Sequence, residues 1–203
     1  MLAFVLYRRD FREADQIISF YTLEKGKMEI LTRGVKKITS KNSAHLEPFS
    51  LVEAEVILGK ELNYLGAVQP INYFVSIRKK LQKSLAAGFL VSTLDKLLHE
   101  GEKDERIFDL IVSWLEYVDN QYTVYGIHLL DSYVVRLLSY LGLDIVESDK
   151  IPTGIKNDLE MLSKENWEII NKLEYKKSVH DFIYKFLLYN TDRKVNDWGK
   201  ILK

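Results

Sequence analysis

Residue types able to make and break bonds are sparse in this chain. Its four histidines, His45, His99, His128 and His180, are dispersed, and none lies at metal-ligand spacing from another. Cysteine is absent from the 203 residues, which excludes thiol nucleophiles, disulfides, thiolate zinc sites and iron–sulfur clusters together. A transition-metal site would therefore need carboxylates gathered from distant segments. The sequence holds no phosphate-cradling glycine loop, dinucleotide fingerprint or nucleophile elbow. Glu53 and Glu55 could be imagined as the metal-binding pair of a nuclease. Two acids at period two on an otherwise apolar strand read instead as its solvated face. His128, beside Leu129 and Leu130, reads as packed rather than catalytic. The expectation is a binding protein that is not an enzyme and uses no cofactor.

Charge is more informative in its distribution than in its sum. Twenty-nine Lys and Arg balance twenty-nine Asp and Glu, so any attraction for a polyanion must come from local separation of charge. From Lys25 to Lys41 there are six basic residues, Lys25, Lys27, Arg33, Lys36, Lys37 and Lys41, against the single acid Glu29. Further basic clusters lie at Arg78-Lys79-Lys80 with Lys83, and from Lys172 to Lys203, while Asp95 to Asp119 is acidic. The first cluster differs from the others because it falls in a loop that follows a predicted strand. Loops on small barrels hold nucleic-acid backbones, with aromatic residues nearby for base stacking. Tyr7, Phe20 and Tyr21 are available for that role, although their pattern suits a core.

The elements that must position these cations divide in two. Ala3–Arg9, Gln16–Leu23, Lys27–Arg33, Ser50–Leu58 and Leu62–Phe74 are rich in Val, Ile, Tyr, Phe and Thr, with turn signals at Lys25-Gly26-Lys27, Gly34 to Ala44 and Gly59-Lys60-Glu61. Five short strands in so short a stretch suggest a small closed or partly closed barrel, of which more than one kind fits the count, an SH3-like one included. From Ser76 the period becomes helical. Stripes run through Leu81, Leu85, Phe89 and Leu94, then Ile107, Ile111 and Leu115 with Asp104 as N-cap, then Ile127, Leu130, Val134 and Leu137 up to Gly142. A last helix is expected to open at Ser178 with Asp181 in a capping box, burying Val179, Phe182, Ile183, Phe186 and Leu187. Residues 191–203 are polar and expected to fray, with Trp198 as a candidate to dock. The reading is a β domain over 1–75 and a helical domain over 76–203. The longest uncharged stretch, Leu62 to Ile77, is sixteen residues and carries Asn63, Gln69, Pro70 and Asn72, too short and polar to span a bilayer. Arg8 and Arg9 follow the apolar N-terminal residues instead of preceding them, unlike an export signal, so the protein is expected in the cytoplasm.

In order and spacing, several fragments resemble the RecO family of bacterial recombination mediators. They are Val5-Leu6-Tyr7-Arg8-Arg9-Asp10-Phe11-Arg12-Glu13-Ala14-Asp15, Ile17 to Thr22, Gly26-Lys27, Arg33-Gly34-Val35-Lys36-Lys37 with Ser40-Lys41, and Leu46-Glu47-Pro48-Phe49. Tyr133 to Gly142 is a weaker echo in the helical half. The resemblance implies an N-terminal OB-fold five-stranded barrel followed by an all-helical C-terminal domain. It implies binding of single- and double-stranded DNA, strand annealing, and action with RecR in helping RecA load onto DNA coated with single-strand-binding protein, with RecF a further possible partner at the nucleoid. Many members hold a structural zinc on C-terminal cysteines, which this sequence lacks. The residues expected on DNA phosphates are Arg33, Lys36, Lys37 and Lys41, with Lys25 and Lys27. Arg136 is the candidate cation for the acidic tail of single-strand-binding protein. The alternative is an OB-type adaptor for a protein or structured RNA.

Overall fold

A computed structural model describes residues 1–60, 62–122 and 126–201. Glu61 of the third turn signal and Lys203 of the C-terminal basic stretch lie outside the described residues. Five strands, β1 (Leu2–Asp10), β2 (Gln16–Thr22), β3 (Gly26–Thr32), β4 (Leu51–Ile57) and β5 (Asn63–Asn72), close into a barrel in the order β1-β2-β3-β5-β4. All neighbours are antiparallel except β3 and β5, which meet in parallel through Ile30↔Asn63 and Leu31↔Tyr64. That parallel contact, foreign to a simple meander, identifies the barrel as an OB-fold. Alternate residues fill it: Ala3, Val5, Ile18, Phe20, Met28, Ile30, Val52, Ala54 and Val68, closed over by Val35 and Leu46. Phe20 thus belongs to the core. Glu53 and Glu55 face solvent, as their period requires. A bulge between Val5 and Tyr7 shifts the pairing of β1 with β2, and beyond it Tyr7 is 51% exposed.

The chain forms two compact units: residues 1–75 with 91–108, and residues 76–90 with 109–203. Helices begin with α1 (Val75–Arg78), yet compactness assigns Val91–Phe108 to the barrel, and there is a chemical reason. Ala3, Phe4, Val5 and Leu6 are all buried, so β1 is covered on both faces. On the outer face Phe4 meets Phe108 at 5.1 Å and Phe74 at 6.5 Å. The Tyr21 hydroxyl donates to Asp104 O at 2.9 Å and accepts from Asp104 N at 3.0 Å. Its phenol is pushed up to about 12, first by burial. Tyr21 is a latch, not a stacking surface. The free edge of β3 is occupied by the same segment: Gly101 N donates to Lys27 O at 2.8 Å and Lys27 N donates to Glu102 O at 3.4 Å.

The second unit gathers around α4 (Ile127–Tyr140), whose residues Leu129 to Val135, Leu137 and Leu138 are buried. α4 ends as its glycine predicts: Gly142 has φ +78°, its N–H donates to Ser139 O at 3.0 Å, and Leu143 N donates to Leu138 O at 2.8 Å. α2 (Leu81–Leu97) and α3 (Glu105–Asn120) contribute residues to both units. Asp104 caps α3 by accepting from Arg106 N at 2.8 Å. Leu81 and Leu85, expected inside, are exposed, and the buried residues of α2 include Ala87, Leu90, Val91 and Leu94. α5 (Lys156–Lys164) and α6 (Trp167–Asn171) pack on α4 with α7 (Lys177–Thr191). The expected capping box of α7 is not formed, because the N-cap is Lys176, two residues before Ser178, and Asp181 accepts from Lys177 at 3.3 Å instead. The C-terminal stretch is not frayed throughout: Val195 and Trp198 are buried, the latter within α8 (Trp198–Ile201). No described helix is long and apolar enough to cross a membrane.

Candidate nucleic-acid interface

One rim of the barrel collects the cations. β1 ends and β2 begins there, joined by the hairpin Phe11–Asp15, which Phe11 N closes by donating to Asp15 O at 3.2 Å. The last residue of β3, Thr32, pairs with Gln16, so the chain leaves β3 beside that hairpin. It is then strapped down: Gly34 N donates to Asp15 Oδ1 at 2.8 Å, Lys36 N donates to Ala14 O at 3.0 Å, and Val35 enters the core. The strap ends where Asn42 Nδ2 donates to Gly66 O at 2.9 Å. Buried Val35 fixes the strap while Arg33, Lys36, Lys37 and Lys41 stand exposed along it.

These four expected residues lie together, and their surroundings differ. Lys36 Nζ donates to Asp10 Oδ2 at 2.8 Å, and this contact, with a second from Gln16, holds the Asp10 carboxyl below its ordinary range. Lys37 and Lys41 have no ion-pair partner among the described residues. Arg33 lies over the ring of Tyr64, 4.3 Å from its centroid. Arg12, which sequence reading left out of the contact set, joins the rim on the hairpin and lies 5.1 Å from the centroid of Phe11. The signal that could have found it was its place in a strand-connecting hairpin of an OB barrel. Arg8 and Arg9 are neutralised by Glu47 at 2.8 Å and Glu29 at 2.9 Å.

Lys25 and Lys27 are not brought to this rim. They sit at the opposite end of β3, roughly 20 Å away by strand rise. Lys25 is exposed at that turn. Lys27 Nζ donates to Asp95 O and to Leu98 O at 3.2 Å and pairs with the Asp95 carboxylate at 3.2 Å, so it caps the end of α2. Lys83 of the second cluster is committed in the same way and is buried, donating to Val118 O at 2.7 Å in the last turn of α3 and to Gln121 O at 2.6 Å just beyond it. Burial pulls its ammonium down from the usual lysine range.

Arg136 is also committed. Its Nε donates to Leu162 O at 3.2 Å and its Nη2 to Glu165 O, while the guanidinium lies 4.5 Å from the Trp167 ring centroid. It closes the end of α5. Nearby, His180 bridges two carboxylates, Asp131 at 2.7 Å and Asp197 at 3.0 Å, and Trp198 Nε1 donates to the same Asp131 oxygen at 2.7 Å. Burial opposes charge on His180, but its two carboxylates outweigh burial and raise its pKa. Burial raises Asp131, with His180 opposing. A groove of about 370 Å³ lies between Phe182, Phe186 and Tyr189, with Lys150 and Lys185 on its walls. Phe182 and Phe186, expected in the core, are half-buried along it. Among the described residues no group of three His, Asp or Glu is placed to hold a metal ion.

Comparison with known proteins gives one answer along the chain. The family model described as recombination protein O N terminal matches residues 1–74, and that described as recombination protein O C terminal matches residues 78–195. The DNA repair protein RecO of Geobacter sulfurreducens is 35% identical over 117 residues, 58% of this chain and 48% of that protein. That of Desulforamulus reducens is 32% identical over 116 residues, 57% of this chain and 45% of that protein. That of a Thermoanaerobacter species is 24% identical over 192 residues, 92% of this chain and 77% of that protein. The match to the first two spans about half their length.

Proposed function

The chain belongs to the recombination protein O (RecO) family, and from that premise we propose that it is a DNA-binding mediator of recombinational repair. In this reading it is a binding module that works in the cytoplasm at the nucleoid. It anneals single strands and, with RecR, helps RecA onto DNA coated by single-strand-binding protein. The observation that carries the reading is the strap: Arg33, Lys36, Lys37 and Lys41 stand along one OB-barrel rim, held by a loop whose Val35 is anchored in the core. Phosphate contacts of this kind position a strand without reading its sequence. Four of them on a single strand give a log–log salt slope of roughly −3.

The test is Lys37→Glu with Lys41→Glu, both exposed, so that the fold is retained. Affinity for single-stranded DNA should fall across base sequences, and the slope should become shallower by about 1.4. Unchanged affinity and slope would place DNA elsewhere. Preferential binding to structured RNA over DNA would favour the adaptor reading. For the acidic, apolar-ended tail of single-strand-binding protein, the groove at Phe182 and Phe186 suits better than committed Arg136, because Lys150 and Lys185 flank apolar walls. Lys185→Glu should then weaken binding of the tail peptide; equal binding would remove the groove from the scheme.

A further inference from the structure

Lysines on the strap neutralise phosphates whether or not the bases are paired, so they give affinity without preference for strand state. The two arginines at the same rim are built differently. The Arg33 guanidinium carbon lies over Tyr64, 4.3 Å from the ring centroid, and that of Arg12 lies over Phe11 at 5.1 Å. Tyr64 is half-buried, and Gly59 lies so close that an added Cβ would come within 2.8 Å of Tyr64 Cε2. Arg33 itself is exposed. Phe11 is 41% exposed at the closing pair of the hairpin and stands outside the barrel core.

We propose that Phe11 with Arg12 and Tyr64 with Arg33 are base-stacking platforms, and that these pairs select unpaired strands over duplex. The inference rests on the DNA-binding reading above and adds to it the residues that distinguish strand state. In a duplex both faces of each base are covered by neighbours. An unpaired base offers a free π-face, and it stacks on an aromatic ring or a guanidinium plane with little regard to sequence. A guanidinium held on a ring is already ordered, so less freedom is lost when a base settles on it. The charges along the strap would then hold the backbone while the ring–guanidinium pairs hold bases.

Tyr64→Leu and Phe11→Leu each keep an apolar side chain and remove the ring on which a guanidinium lies. Each should weaken binding of a thymidine homo-oligomer about tenfold. Neither should change affinity for a blunt duplex of equal length by more than about twofold, nor change the salt slope. Parallel losses on both DNA forms, or no loss on either, would overturn the inference while leaving the DNA-binding reading intact. So would a wild-type protein that binds duplex as tightly as single strand. A wild-type protein that binds neither form overturns both.

Discussion

Replacing His180 by alanine should cost the helical unit far more than the loss of one ring. His180 Nδ1 and Nε2 reach Asp131 and Asp197 at 2.7 Å and 3.0 Å, and the Asp131 side chain is 3% exposed. With the imidazolium gone, Asp131 keeps one donor, Trp198 Nε1 at 2.7 Å. Removing one partner of a buried charge pair costs about 3–5 kcal/mol. Burial already raises the Asp131 pKa, so the orphaned carboxyl takes up a proton, which limits the loss to about 3 kcal/mol, the lower end of that range. The sequence supplies the probe. All three tryptophans, Trp114, Trp167 and Trp198, are buried in the second unit, so urea unfolding followed by indole fluorescence reports that unit alone. Adding Asp131→Asn removes the stranded carboxyl, so the double variant should be more stable than the sum of the single losses by about 1–3 kcal/mol. The pH dependence has a definite sign. The raised His180 pKa means that its contribution is complete below its ordinary 6.5 and disappears as pH rises through the folded-state value. Asp131, raised from 3.8, acts in the same direction, whereas Asp197, held down by His180 and Lys200 against burial, loses its contribution only as pH falls below 3.8. Wild-type stability should therefore decline from about pH 6.5 into the alkaline range, and more steeply than in His180→Ala. Additive losses, or a wild type that gains stability relative to the variant over that range, would refute the reasoning.

Gly26→Ala should destabilise the barrel unit by about 2 kcal/mol or more, because φ is +69° and the new Cβ would lie 2.1 Å from Glu102 O. Faster amide exchange along β3 and at Gly101 would register it; wild-type protection would contradict the pairing of β3 with that segment. Lys83→Met should lower the thermal midpoint of the second unit, since Val118 O and Gln121 O each lose a buried donor at about 1–3 kcal/mol per group. A midpoint equal to wild type would mean that water replaces the ammonium without cost.

The barrel was legible because its signals are local. Val52, Ala54 and Glu53, Glu55 alternate within one strand, and α4 ends at Gly142 through bonds that span three to five residues. The rim was half legible. Arg33 through Lys41 are contiguous, so they stay together in any fold, but Lys25 and Lys27 are near them in sequence only, since a strand carries the chain across the barrel between the two groups. Lys27, Lys83 and Arg136 look like surface charge in one dimension. Each turned out to satisfy carbonyls at a helix end, and the partner helix is 26 to 71 residues distant in the chain. A docked Trp198 was legible in the polar C-terminal stretch, but its anchor was hidden for the same reason: it is Asp131, on another helix.

The occupation of the β3 edge by residues 101 and 102 has a bearing on biosynthesis. When residue 75 leaves the ribosome, all five strands exist, yet Gly26 to Met28 still lack a neighbour on one side and Phe4 and Tyr21 lack their outer cover. An uncovered strand edge beside apolar rings is a template for pairing with other chains. The barrel therefore stays incomplete until about thirty more residues have been made, enough to deliver Phe108 and the strand-like stretch before it. A fragment cut at the end of β5 would keep that nascent defect permanently, whereas one cut after Phe108 would carry its own seal.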